Sequence, residues 1–140
     1  MAFRARLDVR FGDIDHAGIV YYPRFLHYFH VALEEFFRDH LGRPYHRFLD
    51  EEQVGLPTVH LEIDFRNPLR FGDEIEVEVG VHEIGRTSID WTYRVFKPED
   101  LLAAEARIVT VALDMESFEK TPVPDWLRRA LEEYRREEDP

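Results

Sequence analysis

A chain of 140 residues, 44% hydrophobic and 34% charged, is sized and composed for one globular domain with a core of its own. Its formal charge of −11 opposes general binding to nucleic acid or anionic membranes, while leaving room for a local basic pocket. It has no cysteine, which excludes disulfides, thiolate metal sites, iron–sulfur clusters and thiol nucleophiles.

No apolar run approaches membrane-spanning length, and the N-terminus alternates where a signal peptide would run apolar. The expected location is cytoplasmic, without stable membrane anchoring, and residues 1–140 are expected to form a single domain.

Phe3 to Phe11 alternates strictly. Phe3, Ala5, Leu7, Val9 and Phe11 point one way, and Arg4, Arg6, Asp8 and Arg10 the other, as in a half-buried strand. Gly12 ends it. A loop follows with two carboxylates, Asp13 and Asp15, and then Gly18. Pro23 suits the first position of a helix, where its missing N–H costs nothing. Behind it Phe25, Leu26, Phe29, Ala32, Leu33, Phe36 and Phe37 recur at helical spacing. So wide an apolar band predicts a helix largely enclosed by protein. It should end near His40 to Gly42, with Gly42 as C-terminal cap and Pro44 behind it.

Residues 43–58 read as a surface connector, although Pro44 can open a short helix with Tyr45, Phe48 and Leu49 on one face. The alternative is a lid or wall beside the helix terminus. Strands then dominate. Val59, Leu61, Ile63 and Phe65 alternate with polar neighbours, then Ile75, Val77, Val79 and Val81, then Ile89, Trp91, Tyr93 and Val95. Turn signals separate them at Asn67-Pro68, Gly72-Asp73 and Gly85-Arg86. A last long strand spans about Leu102 to Met115, with Val109, Val111, Leu113 and Met115 on one face.

One-sided alternation implies an antiparallel sheet with one face covered, and the long helix is the element large enough to cover it. After a linker at Thr121 to Pro124, a stripe of Trp126, Leu127, Ala130, Leu131 and Tyr134 predicts an amphipathic helix at about residues 124–137, docked on the surface. Residues 137–140 should fray. The expected class is α+β: a five-stranded antiparallel sheet wrapped around a long buried helix, plus a C-terminal helix. Such a sheet leaves its edge strands open, and open edges invite a second copy. A homodimer with a continuous sheet is expected, with assembly to a homotetramer.

The chemistry concentrates before the long helix. The first N–H groups of a helix lack internal partners and carry partial positive charge. They can hold an anion, or a carbonyl oxygen that becomes negative during reaction. A nearby carboxylate can then act as nucleophile or as general base on water. Such an arrangement suits acyl transfer, and hydrolysis of an ester or thioester in particular. On residue types alone, an Asp before a helix is more often a cap or dipole partner. Asp15, however, lies eight residues before Pro23, too far for an N-cap of a helix opening there.

The run Phe11-Gly12-Asp13-Ile14-Asp15-His16-Ala17-Gly18-Ile19-Val20-Tyr21-Tyr22-Pro23 resembles the signature of the 4-hydroxybenzoyl-CoA thioesterase-like hotdog family, whose relatives include the YbgC-type short-chain acyl-CoA thioesterases. The resemblance continues through Pro57 to Phe65, Pro68, the Gly72-Asp73 turn and the strand order, over roughly residues 3–120. It implies a hotdog fold, an acyl-CoA substrate of short-chain or aromatic type, and active sites at a dimer interface. It also implies that Asp15 is catalytic and that the carbonyl-binding N–H comes from the helix start at Tyr22. Tyr22 is aromatic, as in the 4-hydroxybenzoyl enzymes, where YbgC-type relatives often carry a histidine.

Around this pair, Asp13, Gly18 and Pro23 are expected to shape the substrate site. Asp13 is favoured as a loop organiser, because a second carboxylate close by would raise the proton affinity of the first. No cofactor is expected, coenzyme A being part of the substrate. His16, His27 and His30 beside the two aspartates carry no recognisable metal-ligand spacing and read as polar helix-face or interface residues. Arg66, Arg70, Arg86, Arg94 and Lys97 lie where they can meet coenzyme A phosphates, without further assignment. Two other activities stay open: a hotdog enoyl-thioester hydratase or dehydratase, and a noncatalytic acyl-thioester binding module.

Overall fold

Period-two apolar spacing shapes most of the computed structural model, which describes residues 2–138. In chain order the elements are β1 (Phe3–Asp8), α1 (Arg24–Glu35), α2 (Tyr45–Glu52), β2 (Val54–Gly55), β3 (Thr58–Phe65), β4 (Glu74–Ile84), β5 (Ser88–Lys97), β6 (Leu101–Val111), β7 (Leu113–Asp114) and α3 (Asp125–Glu138). The five long strands form one antiparallel sheet in the order β1-β4-β5-β6-β3. Register shifts at Val81/Glu83, Val95/Phe96 and Thr58/His60 add local twist, which helps the sheet curl around α1.

The inner face is a continuous apolar layer. Ile75, Val77 and Val79 of β4 and Ile89, Trp91, Tyr93 and Val95 of β5 are all buried there. α1 lays Phe25, Tyr28, Phe29, Ala32 and Leu33 on it, with Phe29 stacked on Tyr93 at 5.1 Å. The Trp91 indole N–H donates to Thr110 Oγ1 at 3.0 Å, which satisfies the buried polar pair. This is the α+β arrangement of a sheet wrapped on a helix.

Several expectations need correction. The first strand stops at Asp8, and Phe11 is 74% exposed in a short 3₁₀ turn. Its backbone turns toward the acidic loop before the alternation runs out. Pro23 caps α1 rather than occupying its first turn, and the helix passes into a π-helical turn at Phe36–His40. The wider π turn places two consecutive rings, Phe36 and Phe37, wholly inside. Gly42, at φ +74°, ends it as expected.

The connector at 43–58 contains α2, whose Phe48 is fully buried against Phe37, so it is part of the core and not merely surface chain. On the last long strand the inward face is Ala104, Ala106, Ile108 and Thr110, while Met115 is 40% exposed. Pairing with β5 sets this parity: Val95, Tyr93 and Trp91 stand opposite Ala104, Ala106 and Ile108. Small alanines leave room for the large rings beside them. The chain then leaves the sheet, and β7 pairs with β2 in a separate ribbon.

α3 also does more than dock on the surface. Leu127, Leu131 and Tyr134 are buried, and α3 packs against β4. The Tyr134 hydroxyl accepts the Phe3 N–H at 2.9 Å and donates to the Val79 carbonyl, joining α3 to β1 and β4. The sheet therefore has two covering helices. Regular helix continues through Glu138 where fraying was expected, and residues 139 and 140 lie outside the described residues.

α1 and α3 cover the β1–β4 side and leave the β3 edge open. Val59, Leu61 and Phe65, expected on the covered face, are 58%, 42% and 50% exposed. Phe65 alone meets a helix ring, that of Phe25 at 5.1 Å between centroids, and all three side chains keep a large part of their surface open.

Burial pushes the phenols of Tyr45 and Tyr134 up to about 12, and those of Tyr28 and Tyr93 upward as well. These groups stay protonated in the folded chain where the unfolded chain ionises. Their contribution to stability is whole below pH about 10 and is lost as pH rises toward about 12. Phenolate absorbance followed between pH 9 and 12 (roughly the range set by the ordinary tyrosine value) should therefore rise for these four in step with unfolding. Full ionisation with native circular dichroism would contradict it.

Candidate active site

The loop between β1 and α1 is a small hairpin held by its own backbone. The Asp15 N–H donates to the Ile19 carbonyl at 2.9 Å, the Gly18 N–H to the Asp15 carbonyl at 3.0 Å, and the Tyr21 N–H to the Asp13 carbonyl at 2.9 Å. Gly18 turns the chain at φ +81°, a left-handed geometry that a side chain strains. The Val20 N–H donates to the Leu69 carbonyl at 2.8 Å, tying the hairpin to the segment between β3 and β4.

The two carboxylates of this loop have opposite surroundings. Asp13 is only 13% exposed and accepts the Arg10 N–H and the Tyr28 hydroxyl, both at 2.9 Å. The Arg24 Nε lies 3.6 Å from its other oxygen. Burial and this bond to Asp13 push the Tyr28 phenol up, so it stays a donor. Asp13 is thus consumed in holding the loop. Asp15 is exposed and accepts only the Ala17 N–H, at 2.8 Å on Oδ1. Its Oδ2 has no partner among the described residues.

The helix opens with bonds from the Arg24 N–H to the Tyr21 carbonyl and from the Phe25 N–H to the Tyr22 carbonyl, at 2.9 and 3.2 Å. Pro23 has no N–H to offer, and the Tyr22 N–H meets no acceptor among the described residues. Between loop and helix lies a cleft of about 540 Å³, walled by Asp15, Tyr21, Pro23, Arg24 and His27. Of the expected site residues, the structure brings Asp15 and Pro23 to this cleft. Asp13 and Gly18 shape the loop without lining it. The Tyr22 ring is 65% exposed and outside the lining, packed against Tyr21 at 5.3 Å between centroids.

Arg24 and His27 escaped the sequence reading as site residues. Their spacing was the available signal, since residues three apart share one helix face. Tyr28 was another: a tyrosine inside an apolar band must find a partner for its hydroxyl.

Another cleft of similar size, about 530 Å³, lies by β1 and β4 and is lined by Asp8, Glu74, Glu76, Glu99 and Asp100, with Arg6 and Lys97. Its acidic excess repels a phosphorylated ligand. Three of the five basic residues considered for phosphates are already engaged. Arg66 donates to Glu105 at 3.0 Å, Arg94 to Glu78 at 2.6 Å and Lys97 to the Pro68 carbonyl at 3.0 Å. Arg70 directly follows Leu69, which accepts the Val20 N–H of the acidic loop, and its guanidinium has no acceptor among the described residues. His30 pairs with Glu34 at 2.8 Å. Among the described residues, no three His, Asp or Glu side chains are placed to hold a metal ion.

Residues 9–131 match the family described as the Thioesterase-like superfamily. A 1,4-dihydroxy-2-naphthoyl-CoA hydrolase from Synechococcus elongatus is 34% identical over 125 residues, covering 86% of this chain and 90% of that protein. Among solved structures, a 1,4-dihydroxy-2-naphthoyl-CoA thioesterase from Synechocystis superposes with a TM-score of 0.83 at 26% identity, covering 94% of this chain and 96% of that one. A gentisyl-coenzyme A thioesterase superposes with a TM-score of 0.81, also at 26% identity, covering 90% of this chain and 99% of that one.

Proposed function

The chain belongs to the thioesterase-like superfamily and is an acyl-CoA thioesterase of the hotdog fold, and from this premise we propose that Asp15 performs the hydrolysis and that the acyl group is a hydroxyaryl one. The observation that carries the catalytic assignment is the contrast between the loop carboxylates. Asp13 is filled with donors, while Asp15 keeps an oxygen free in a cleft it shares with Pro23 at the helix opening, where the Tyr22 N–H is unpartnered among the described residues. The acyl group is drawn from the relatives, two of which act on dihydroxynaphthoyl-CoA and one on gentisyl-CoA.

In this reading the thioester oxygen accepts the Tyr22 N–H at the positive end of α1. Negative charge collects on that oxygen as the carbonyl carbon becomes tetrahedral, and the helix end stabilises it. Asp15 either attacks the carbon, expelling the coenzyme A thiolate and leaving a mixed anhydride for water to open, or takes a proton from the attacking water. No metal or cofactor enters either route, and coenzyme A arrives as part of the substrate. In this reading Arg70, whose guanidinium has no acceptor among the described residues, meets the coenzyme A phosphates.

The catalytic carboxylate of a lone chain is exposed, and water weakens the charge interactions the reaction needs. The open β3 edge supplies a means of closure. Phe65 at its end packs on Phe25 of the first turn of α1, with ring centroids 5.1 Å apart. A second copy pairing along β3 would cover Val59, Leu61 and Phe65 and shield the cleft beside them, giving a homodimer that can pair again into a tetramer. We take the chain to act as one domain in the cytoplasm. Among the described residues no helix is long and apolar enough to cross a membrane.

A panel of acyl-CoAs, from acetyl through long-chain to benzoyl, 4-hydroxybenzoyl and 1,4-dihydroxy-2-naphthoyl, with thiol detection, tests the function. Thiol release fastest with hydroxyaryl thioesters is expected. Water addition to an enoyl-CoA without thiol release would replace the proposal with a hydratase, and binding without turnover with a carrier. For the assembly, Leu61→Arg places a charge on the shared edge. Sedimentation should show the wild type as a dimer or larger and the variant as a slower species with reduced kcat. Equal sedimentation of the two would remove β3 from the interface.

A further inference from the structure

Arg24 is a cation at the wrong end of a helix. It opens α1, where the helix dipole is positive and a basic side chain is disfavoured. Two contacts pin it there. Its Nε lies 3.6 Å from Asp13 Oδ1, and its Nη2 donates to the Gly12 carbonyl at 3.3 Å. Asp13 is itself fixed by Arg10 and Tyr28. The guanidinium is therefore preorganised, yet its side chain stays 46% exposed and borders the same cleft as Asp15. Its Nη1 group and the second Nη2 hydrogen meet no acceptor among the described residues.

We propose that Arg24 selects acyl groups that carry a hydroxyl ortho to the thioester carbonyl. This rests on the thioesterase reading of the Asp15 cleft. An ortho-hydroxyaryl thioester presents two oxygens side by side, one on the carbonyl and one on the ring, in an arrangement close to that of a carboxylate. A guanidinium fork matches such a pair with parallel N–H donors. The position 1 hydroxyl of a 1,4-dihydroxy-2-naphthoyl group is ortho in this sense. A hydroxyl at the far end of the ring cannot reach the same fork. Arg24 also reinforces the positive end of α1 just where charge gathers on the thioester oxygen.

The test compares 2-hydroxybenzoyl-CoA with 4-hydroxybenzoyl-CoA, which hold the same atoms in different places. kcat/KM is measured for both with the wild type, Arg24→Gln and Arg24→Lys. The wild type should prefer the ortho compound. Arg24→Gln should slow both, and reduce the preference about tenfold, as loss of an ion-assisted hydrogen bond at a half-open site predicts. Arg24→Lys, a point charge without the fork, should recover rate but not preference. An equal loss on both thioesters in Arg24→Gln would mean that Arg24 only holds the loop, and would overturn the assignment. Full preference in either variant would overturn it too. Should the wild type cleave neither thioester, the enzymatic reading fails separately, and fluorescence titration with 1-hydroxy-2-naphthoate and 2-naphthoate decides the role of Arg24. Weaker binding of the hydroxy acid alone in Arg24→Gln supports it; identical binding overturns it.

Discussion

Asp15→Asn should lower kcat for a cleaved acyl-CoA by about 10²–10⁴-fold while the affinity for that thioester is kept. The substitution is nearly isosteric, and the amide oxygen of Asn can still accept the Ala17 N–H that closes the local turn. The hairpin is otherwise held by backbone bonds and by Asp13, neither of which the change touches. What disappears is the negative charge that attacks the carbonyl or draws a proton from water. Single-turnover kinetics beside equilibrium binding of the same thioester separate the two effects. A variant keeping more than roughly a tenth of wild-type kcat would take Asp15 out of the chemistry. Asp13→Asn should behave differently. It weakens a buried acceptor shared by Arg10, Tyr28 and Arg24, so stability and activity fall together. Label found in Asp15 after a single turnover of wild type in heavy-oxygen water identifies it as the nucleophile, with water opening the anhydride at the Asp15 carbonyl. Label in the released acid alone is the outcome both of the general-base route and of water opening the anhydride at the acyl carbon, and trapping of the anhydride with hydroxylamine separates those two.

Phe36→Ala should destabilise the fold by about 3–5 kcal/mol, the cost of removing a large ring from a closed core. Phe36 is 0% exposed and lies where four parts of the molecule meet. Its ring centroid is 5.6 Å from Phe3 of β1, 6.2 Å from Trp91 of β5, 4.9 Å from Tyr134 of α3 and 5.1 Å from His40 of its own π turn. Rigid strands and a helix surround the site and cannot collapse into the void together. Urea unfolding of this variant should move the midpoint well below wild type with a similar slope. Phe118→Ala, at a ring 74% exposed, should move it by no more than about 0.5 kcal/mol in equivalent terms. A shift below about 1 kcal/mol for Phe36→Ala would mean that α3 and β1 are joined by other contacts, chiefly the Tyr134 hydroxyl.

Much of the architecture was legible because the alternation is so regular. Ile75 to Val81 and Ile89 to Val95 could face only one covered layer, and both do. β6 was misread because alanine carries a weak apolar signal. The eye follows Val109 and Val111, while the true inner face runs through Ala104 and Ala106, chosen by the bulk of Tyr93 and Trp91 beside them. α3 was legible as a helix but not as a cover, since an amphipathic stripe does not reveal which surface receives it. The exposed apolar side of β3 belongs to the same class of question. Val59 and Leu61 alternate as core residues do, and only the position of α1 over the β1–β4 half of the sheet leaves them uncovered.

The sequence by itself determined the order of the five long strands with α1 and α3, the period of those strands, and the acidic segment before α1 to which the chemistry is assigned, because these depend on residues near one another along the chain. It also placed both aspartates in that segment. The tertiary structure alone distinguished them. Tyr28, a full helical turn into α1, folds back to fill Asp13, and the hairpin leaves Asp15 exposed in a cleft it shares with Pro23 and Arg24, with an oxygen unsatisfied. It likewise put Arg24 beside Asp15 in one cleft. Which carboxylate is spent on structure and which is free to react depends on distances between groups far apart in the loop and helix, and those exist only once the hairpin has closed.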